Sequence, residues 1–139
     1  MTPRLKALST LQQIESRALQ SLSRALSEAQ GARAASEARI QALGERAARE
    51  ARVSSPEALP YLGRFMATLR REQGREQATC QQLSGKIDGL RDQVMQHYTA
   101  GRSWEMLSER LQEEIATERA RRAEAQLEDM TSARFRHQG

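Results

Sequence analysis

The sequence predicts an all-α protein, a long antiparallel coiled-coil hairpin of two helices with unequal arms. Three observations predict this fold: a helix-forming composition, apolar residues spaced alternately three and four apart, and one proline-bearing interruption. Alanine, leucine, arginine, glutamate and glutamine are abundant, and these side chains lose little rotamer freedom in a helix. With 38% hydrophobic residues and a mean hydropathy of -0.74, the 139-residue chain is expected to bury a narrow seam rather than a broad core.

The first arm is predicted to be a helix over residues 4–53. Its apolar and small residues recur at heptad spacing, and Glu15 is the one charged interruption. The predicted seam comprises Leu8, Leu11, Ala18, Leu22, Ala25, Ala29 and Ala32. A flanking row with seven-residue spacing widens this seam and comprises Leu19, Leu26, Ile40 and Ala47.

Pro56 and Pro60 predict a turn over residues 54–59. Each proline removes a backbone donor and restricts the residue before it, so a helix does not run comfortably through both. The second helix is expected to begin at Pro56 or at Pro60, because proline is tolerated in the first turn of a helix. The whole chain, residues 1–139, is then a single helical hairpin.

The second arm is predicted to be a helix over residues 60–133 with a matching seam. Its members are Leu62, Phe65, Leu69, Cys80, Leu83, Ile87, Leu90, Val94, Gly101, Trp104, Leu107, Leu111 and Ile115. Gly101 is the best candidate for a kink or break, with Ser103 then capping a helix that starts at Trp104, but the sequence leaves open whether the second helix breaks there.

The register of the hairpin follows from placing Val53 opposite Leu59, so that the numbers of facing residues add to 112. The two seams then match, and several pairs place a small residue against a large one, which permits close packing. Among the facing pairs are Ala18 with Val94, Leu22 with Leu90, Ala25 with Ile87, Ala29 with Leu83 and Ala32 with Cys80. In this register Glu15 faces His97.

Two parts of the predicted hairpin are expected to bind partners. Beyond about residue 110 the second arm has no counterpart in the first, and an unpaired amphipathic helix gains most from a partner. The candidate residues there are Leu111, Ile115, Arg119 and Arg122. At the tip, where two helices cover bulky side chains poorly, the candidates are Tyr61, Phe65, Met66 and Leu69. Phe65 is expected to pack on Ala47, leaving Tyr61 and Met66 partly exposed.

The sequence contains no recognisable catalytic constellation, so we expect no enzyme activity, cofactor, metal or small-molecule substrate. His97 and His137 are far apart, and Cys80 is the single cysteine. The net charge of +4 and the pI of about 10.0 suit an acidic partner, nucleic acid or an anionic membrane. Acids and bases interleave along both arms, however, which favours a solvated, ion-paired surface and no nucleic-acid partner. The cytoplasm is the expected compartment, because no apolar run could span a membrane and no signal peptide is recognisable.

Four segments resemble the FliJ family of flagellar export stalk proteins and their counterparts in virulence-type type III secretion systems. They are RLKALSTLQQIE (residues 4–15), YLGRFMATL (61–69), WEMLSER (104–110) and ERARRAEAQLED (118–129), arranged around the proline-broken turn. The similarity covers nearly the whole chain and consists of layout and scattered positions rather than one signature motif.

This resemblance implies a cytoplasmic stalk and chaperone-escort protein of flagellum biogenesis or type III protein export, peripheral to the inner-membrane export apparatus. Such a protein binds the hexameric export ATPase, the membrane export gate protein and export chaperones. By analogy, the terminal end of the hairpin, with the residues from about 104 onward, enters the ATPase ring, and the tip reaches the gate. Phe65 and Leu69 match an aromatic and leucine pair of the family.

Two other classes of function stay open at this stage. The first is a homodimeric coiled-coil scaffold in which the long arm pairs with its copy. The second is a basic helical protein that binds nucleic acid, which predicts strongly salt-dependent binding. The sequence leaves open the choice between a flagellar and a virulence system, the oligomeric state, and which end binds which partner.

Overall fold

The computed structural model describes residues 2–52 and 56–138. These residues form two helices, α1 (Pro3–Ala51) and α2 (Leu59–Gln138), and contain no strand. The prediction of an all-α two-helix hairpin is therefore confirmed. The predicted helix ends, 4–53 and 60–133, differ from the observed ones by one to five residues, and Val53, Ser54 and Ser55 lie outside the described residues.

The hairpin divides into two compact units, each of which contains part of both helices. The terminal unit comprises Met1–Ala18 and His97–Gly139, and the tip unit comprises Leu19–Gln96. Each unit has its own packing and its own exposed surface.

The ends of the helices follow ordinary capping chemistry. Thr2 caps α1: its hydroxyl oxygen Oγ1 accepts a hydrogen bond from the Leu5 backbone N–H at 3.2 Å, and its carbonyl accepts one from Lys6 at 3.1 Å. At the start of α2, the Ala58 carbonyl accepts the Leu62 N–H at 2.9 Å. Pro60 lies in the first turn of α2, where a backbone N–H has no partner within the helix, so the N–H that proline lacks costs no hydrogen bond. Of the two predicted starting points, the structure thus favours Pro60 over Pro56.

The sequence leaves open whether the second helix breaks at Gly101, and the structure shows that α2 continues through this residue without interruption. Ser103 does not cap a new helix; its hydroxyl donates to the Thr99 carbonyl one turn earlier, at 3.0 Å. A Cβ atom built on Gly101 would lie 3.6 Å from Cβ of Glu15. Gly101 therefore marks a close approach of the two helices in the terminal unit.

The core of the tip unit is small. Ile87, Ala29 and Leu69 are its buried apolar side chains, and Ser36 is completely buried among the described residues. The flanking-row residues of α1 are all half-buried, as predicted. Ala32, by contrast, is exposed, and the half-buried residue at this level is Arg33. The carbonyl oxygen of Arg33 lies 4.0 Å from Sγ of Cys80, which occupies its predicted place on the seam.

A polar contact fixes the register of the tip unit. The hydroxyl of Ser36 donates to Oε2 of Glu76 at 2.6 Å and lies 3.2 Å from the Glu76 backbone carbonyl oxygen. Nε of Arg39 donates to the other carboxylate oxygen, Oε1, at 2.9 Å. The numbers 36 and 76 add to 112, which confirms the predicted register. Leu22 and Leu90, the central pair of that prediction, are both half-buried.

The terminal unit has the same register. Nδ1 of His97 lies 2.5 Å from Oε2 of Glu15, the pairing that the sequence predicted. The seam includes Ser108 rather than Leu107, which is 42% exposed. The expectation that the second arm has no counterpart beyond about residue 110 needs correction, because Leu111 and Ile115 are half-buried and line grooves with residues at the start of α1.

The contact between Ser36 and Glu76 predicts a pH-dependent loss of stability. The Ser36 hydrogen bond, followed by that of Arg39, lowers the pKa of Glu76 below its ordinary value of 4.5. A carboxylate whose folded pKa is depressed stabilises the fold above its unfolded pKa, and this contribution is lost as the pH falls through the folded value. We expect thermal unfolding followed by circular dichroism to show a smaller drop in Tm between pH 6 and pH 3 for Glu76→Gln than for the unsubstituted chain. Equal drops would show that Glu76 does not contribute.

Candidate interaction surfaces

The tip surface is formed by the first turns of α2 in the tip unit. Because α2 begins at Leu59, Tyr61 lies in its first turn with 74% of its side chain exposed. An open groove of about 230 Å³ lies beside it, lined by Glu50, Ala58, Tyr61, Leu62 and Phe65. The structure thus brings Tyr61 and Phe65 to one groove, where an apolar side chain of a partner could bind.

The other predicted tip residues are less accessible. Phe65 is half-buried, and the guanidinium carbon of Arg46 lies 4.9 Å from the centre of its ring, a cation–π contact. Met66 is half-buried, and Leu69 is 4% exposed. Leu69 therefore belongs to the core of the tip unit and has almost no side-chain surface for a partner. The accessible part of the tip surface consists of Tyr61, the edge of Phe65 and the groove between them.

The second surface is the end of α2 in the terminal unit, residues 116–137, which we call the overhang. Each residue of the overhang is exposed, yet the segment is helical throughout. Arg119 and Arg122 lie here, and Nε of Arg122 is 3.4 Å from Oε1 of Glu118 one turn earlier. An exposed ion pair of this kind contributes little to stability.

Two open grooves flank the beginning of α1 where it lies against α2. Groove A, about 400 Å³, is lined by Thr2, Leu5, Gln112, Ile115, Ala116 and Arg119. Groove B, about 360 Å³, is lined by Arg4, Ala7, Leu8, Leu107, Arg110, Leu111 and Glu114. The predicted site residues Ile115 and Arg119 therefore share groove A, whereas Leu111 lies in groove B.

The sequence-based candidate set omits three large apolar residues of the overhang. Leu127 is 64% exposed, Met130 is 59% exposed and Phe135 is 79% exposed. They were missed because they do not lie on the heptad positions that continue the hairpin seam. The signal for Leu127 and Met130 is their heptad spacing with Ala116, Ala120 and Ala123 on another face of the same helix, whereas Phe135 does not share that face.

No group of three or more His, Cys, Asp or Glu side chains among residues 2–52 and 56–138 is arranged to hold a metal ion. In the same part of the chain, neither helix contains a stretch long and apolar enough to cross a bilayer. The tip surface and the overhang expose apolar and charged side chains.

Comparison with known proteins gives no significant match, whether with protein-family models, with curated proteins or with solved structures.

Proposed function

We propose that this protein is a stalk of a flagellar-type (type III) protein export apparatus, which binds the hexameric export ATPase through its terminal unit. The observation that carries the proposal is the overhang, which is continuously helical and exposed from Ala116 to His137. In proteins most helical stability comes from packing of an amphipathic face against another surface rather than from intrinsic propensity. A segment that is helical without a covering partner is suited to binding one.

The charge of the overhang suits a protein surface of mixed polarity. Residues 116–138 contain five arginines and four acidic residues, so both signs are available for pairing. Arg119 lines groove A together with Leu5 and Ile115, so this groove combines apolar side chains with a positive charge. Arginine next to an apolar groove is a frequent centre of binding energy at protein interfaces.

The tip surface is proposed to bind the membrane export gate protein or an export chaperone. Tyr61 supplies a large, mostly exposed aromatic side chain beside a groove, and residues of this kind are enriched at interfaces. Because the tip and the overhang belong to different units, the two binding activities should be separable by mutation.

The decisive experiment measures ATP hydrolysis by the export ATPase of the same organism with and without this protein. A chain that ends at Ile115 lacks the overhang but keeps Leu111 and Ile115, which are half-buried beside α1. We expect the truncated chain to retain its helical hairpin, verified by circular dichroism, and to lose stimulation of the ATPase. Full stimulation by this truncation would contradict the assignment of the overhang to the ring.

Point variants refine the same assay. Replacing Arg119 and Arg122 together with alanine should weaken stimulation, because two exposed charges of the overhang are removed. Replacing Arg70 and Arg71, two exposed arginines of the tip unit, is the matched control and should have no effect on stimulation. Tyr61→Ala should leave ATPase stimulation intact and reduce binding to the gate protein or chaperone in a pull-down experiment.

A further inference from the structure

One part of the seam in the tip unit is polar, and we call it the polar segment. In the confirmed register it consists of three successive layers, each formed by one residue of α1 and one of α2 whose numbers add to 112 or 113. The layers are Arg33 with Cys80, Ser36 with Glu76, and Ile40 with Gln73. All of these residues are buried or half-buried. The polar segment therefore replaces about two turns of apolar packing between the helices.

The layers on both sides of the polar segment are apolar. On the side of the turn the next layer is Leu43 with Leu69. On the other side the next three layers are Ala29 with Leu83, Ala25 with Ile87, and Leu22 with Leu90. The buried apolar side chains of the described residues, Ala29, Leu69 and Ile87, all belong to these flanking layers. Since apolar burial is the main force that holds helices together, the pairing is weakest in the polar segment.

Hydrogen bonds hold the polar segment closed in place of apolar packing. The Ser36 hydroxyl donates to Oε2 of Glu76 at 2.6 Å, and Nε of Arg39 donates to Oε1 at 2.9 Å. The side chains of Arg39 and Glu76 are 56% and 24% exposed, so water reaches this network. Water can replace both bonds when the helices separate, and the net stabilisation by each bond is correspondingly small.

Each helix also has a glycine beside the polar segment. Gly31 precedes Arg33 by two residues, and Gly74 lies between Gln73 and Glu76. Both glycines are exposed, and a Cβ atom at either would meet no atom within 4 Å outside the local helix. Glycine in a helix interior is less favourable than alanine. The helical backbone is therefore weakened at the same level as the contact between the helices.

We infer that the polar segment is a hinge, which opens locally as one unit while the apolar layers on both sides stay paired. Each layer of a two-helix hairpin contacts only its neighbours, and segments with few buried apolar contacts open at the lowest free energy. Tyr61 and Phe65 of the tip surface lie on the turn side of the polar segment. Opening therefore lets the tip surface change its direction without global unfolding. This inference is independent of the proposed function.

Cys80 reports the opening, because it is the single cysteine of the chain and lies half-buried in the polar segment. The rate at which N-ethylmaleimide labels Cys80 in the full chain is measured by mass spectrometry at increasing urea concentrations. We expect this rate to rise only weakly with urea, because a local opening exposes little surface. Ala25→Cys in a Cys80→Ser background places the thiol in an apolar layer, where labelling should require global unfolding and depend steeply on urea. Equal urea dependences for the two thiols would overturn the inference.

Gln73→Leu distinguishes opening from direct access to the thiol. Leucine at this half-buried position adds apolar packing against Ile40, while the contact between Ser36 and Glu76 preserves the register. Because the three layers open as one unit, labelling of Cys80 should slow by about tenfold. An unchanged rate would show that the reagent reaches Cys80 without opening, which contradicts the inference.

Gln82→Leu is the matched control. Gln82 is exposed and, at ~100° of rotation per residue, lies on the opposite side of α2 from Gln73. The substitution is the same, and labelling of Cys80 should stay at the parent rate. Slowing equal to that of Gln73→Leu would show that packing in the polar segment is not the cause.

Hydrogen exchange followed by mass spectrometry supplies a second measure. The backbone amides of residues 33–40 and 73–80 should exchange faster than those of residues 22–29 and 83–90, although all four segments are helical. Gln73→Leu should slow exchange in the first two segments together. Equal protection of the four segments in the parent chain would overturn the inference.

Discussion

Replacing Ile87 with alanine is expected to lower the free energy of unfolding by about 3 kcal/mol, because a buried isoleucine truncated to alanine loses its transfer energy and leaves a cavity. Ile87 is 1% exposed and is the most buried large side chain among the described residues. In the confirmed register it faces Ala25, a residue too small to fill the space. The tip unit has few other buried apolar residues, so little else in it offsets the burial energy lost at this position.

Urea unfolding followed by circular dichroism measures this effect, and Ile14→Ala is the matched control. Ile14 is the same residue type in a helix but is 55% exposed. Exposed substitutions usually change stability by less than about 0.5 kcal/mol. A similar loss for the two variants would mean that burial on the seam does not determine the stability of the hairpin.

Replacing Gly31, Gly74, Gly85 and Gly89 together with alanine is expected to stabilise the protein by about 2 to 4 kcal/mol. All four lie inside helices and are exposed, and a Cβ atom at each would meet no atom within 4 Å outside the local helix. Glycine in a helix interior is about 0.5 to 1 kcal/mol less favourable than alanine, because it loses more backbone entropy on folding.

The single variants separate this effect from packing. Each should raise the free energy of unfolding on its own, and distant sites should add approximately. The reverse change at an exposed alanine of α1, Ala35→Gly, should lower it by about 1 kcal/mol. A quadruple variant no more stable than the parent chain would contradict the expectation and would point to a native role for at least one glycine.

The sequence was sufficient to predict the helices and their register, because heptad spacing and a double proline are strong local signals. The sequence predicts that Glu15 faces His97, and in the structure Oε2 of Glu15 lies 2.5 Å from Nδ1 of His97. The error at Ala32 has its physical origin in helix geometry. A heptad has 3.5 residues per turn and an α-helix has 3.6, so the apolar face drifts along the helix. This drift explains why Arg33, and not Ala32, is the half-buried seam residue of α1. At Leu107 the error is different, because the prediction took the larger side chain although the heptad position, and the half-buried side chain, is Ser108.

At Gly101 the sequence alone does not decide whether the second helix continues. Helix propensity alone favours a break at a glycine followed by a serine, whereas the structure shows a continuous helix in close contact with Glu15. Tertiary packing supplies what local propensity lacks. The candidate surfaces were only partly predictable, since the sequence placed Leu69 at a binding surface although its side chain is buried. Exposure depends on how two faces meet, which the residue pattern alone does not specify.

The buried hydroxyl of Ser36 has a consequence for how the chain avoids misfolding. Repeating heptads allow two helices to slide past each other by seven residues and still match apolar faces. Such a slip would place Ser36 opposite Leu69 or Leu83, and Glu76 opposite Leu43 or Ala29. A buried hydroxyl without a partner is unfavourable by about 1 to 3 kcal/mol. The slipped hairpins are therefore expected to be short-lived, because their helices separate and pair again. The contact between Ser36 and Glu76 thus selects one register among those that the repeating heptads allow.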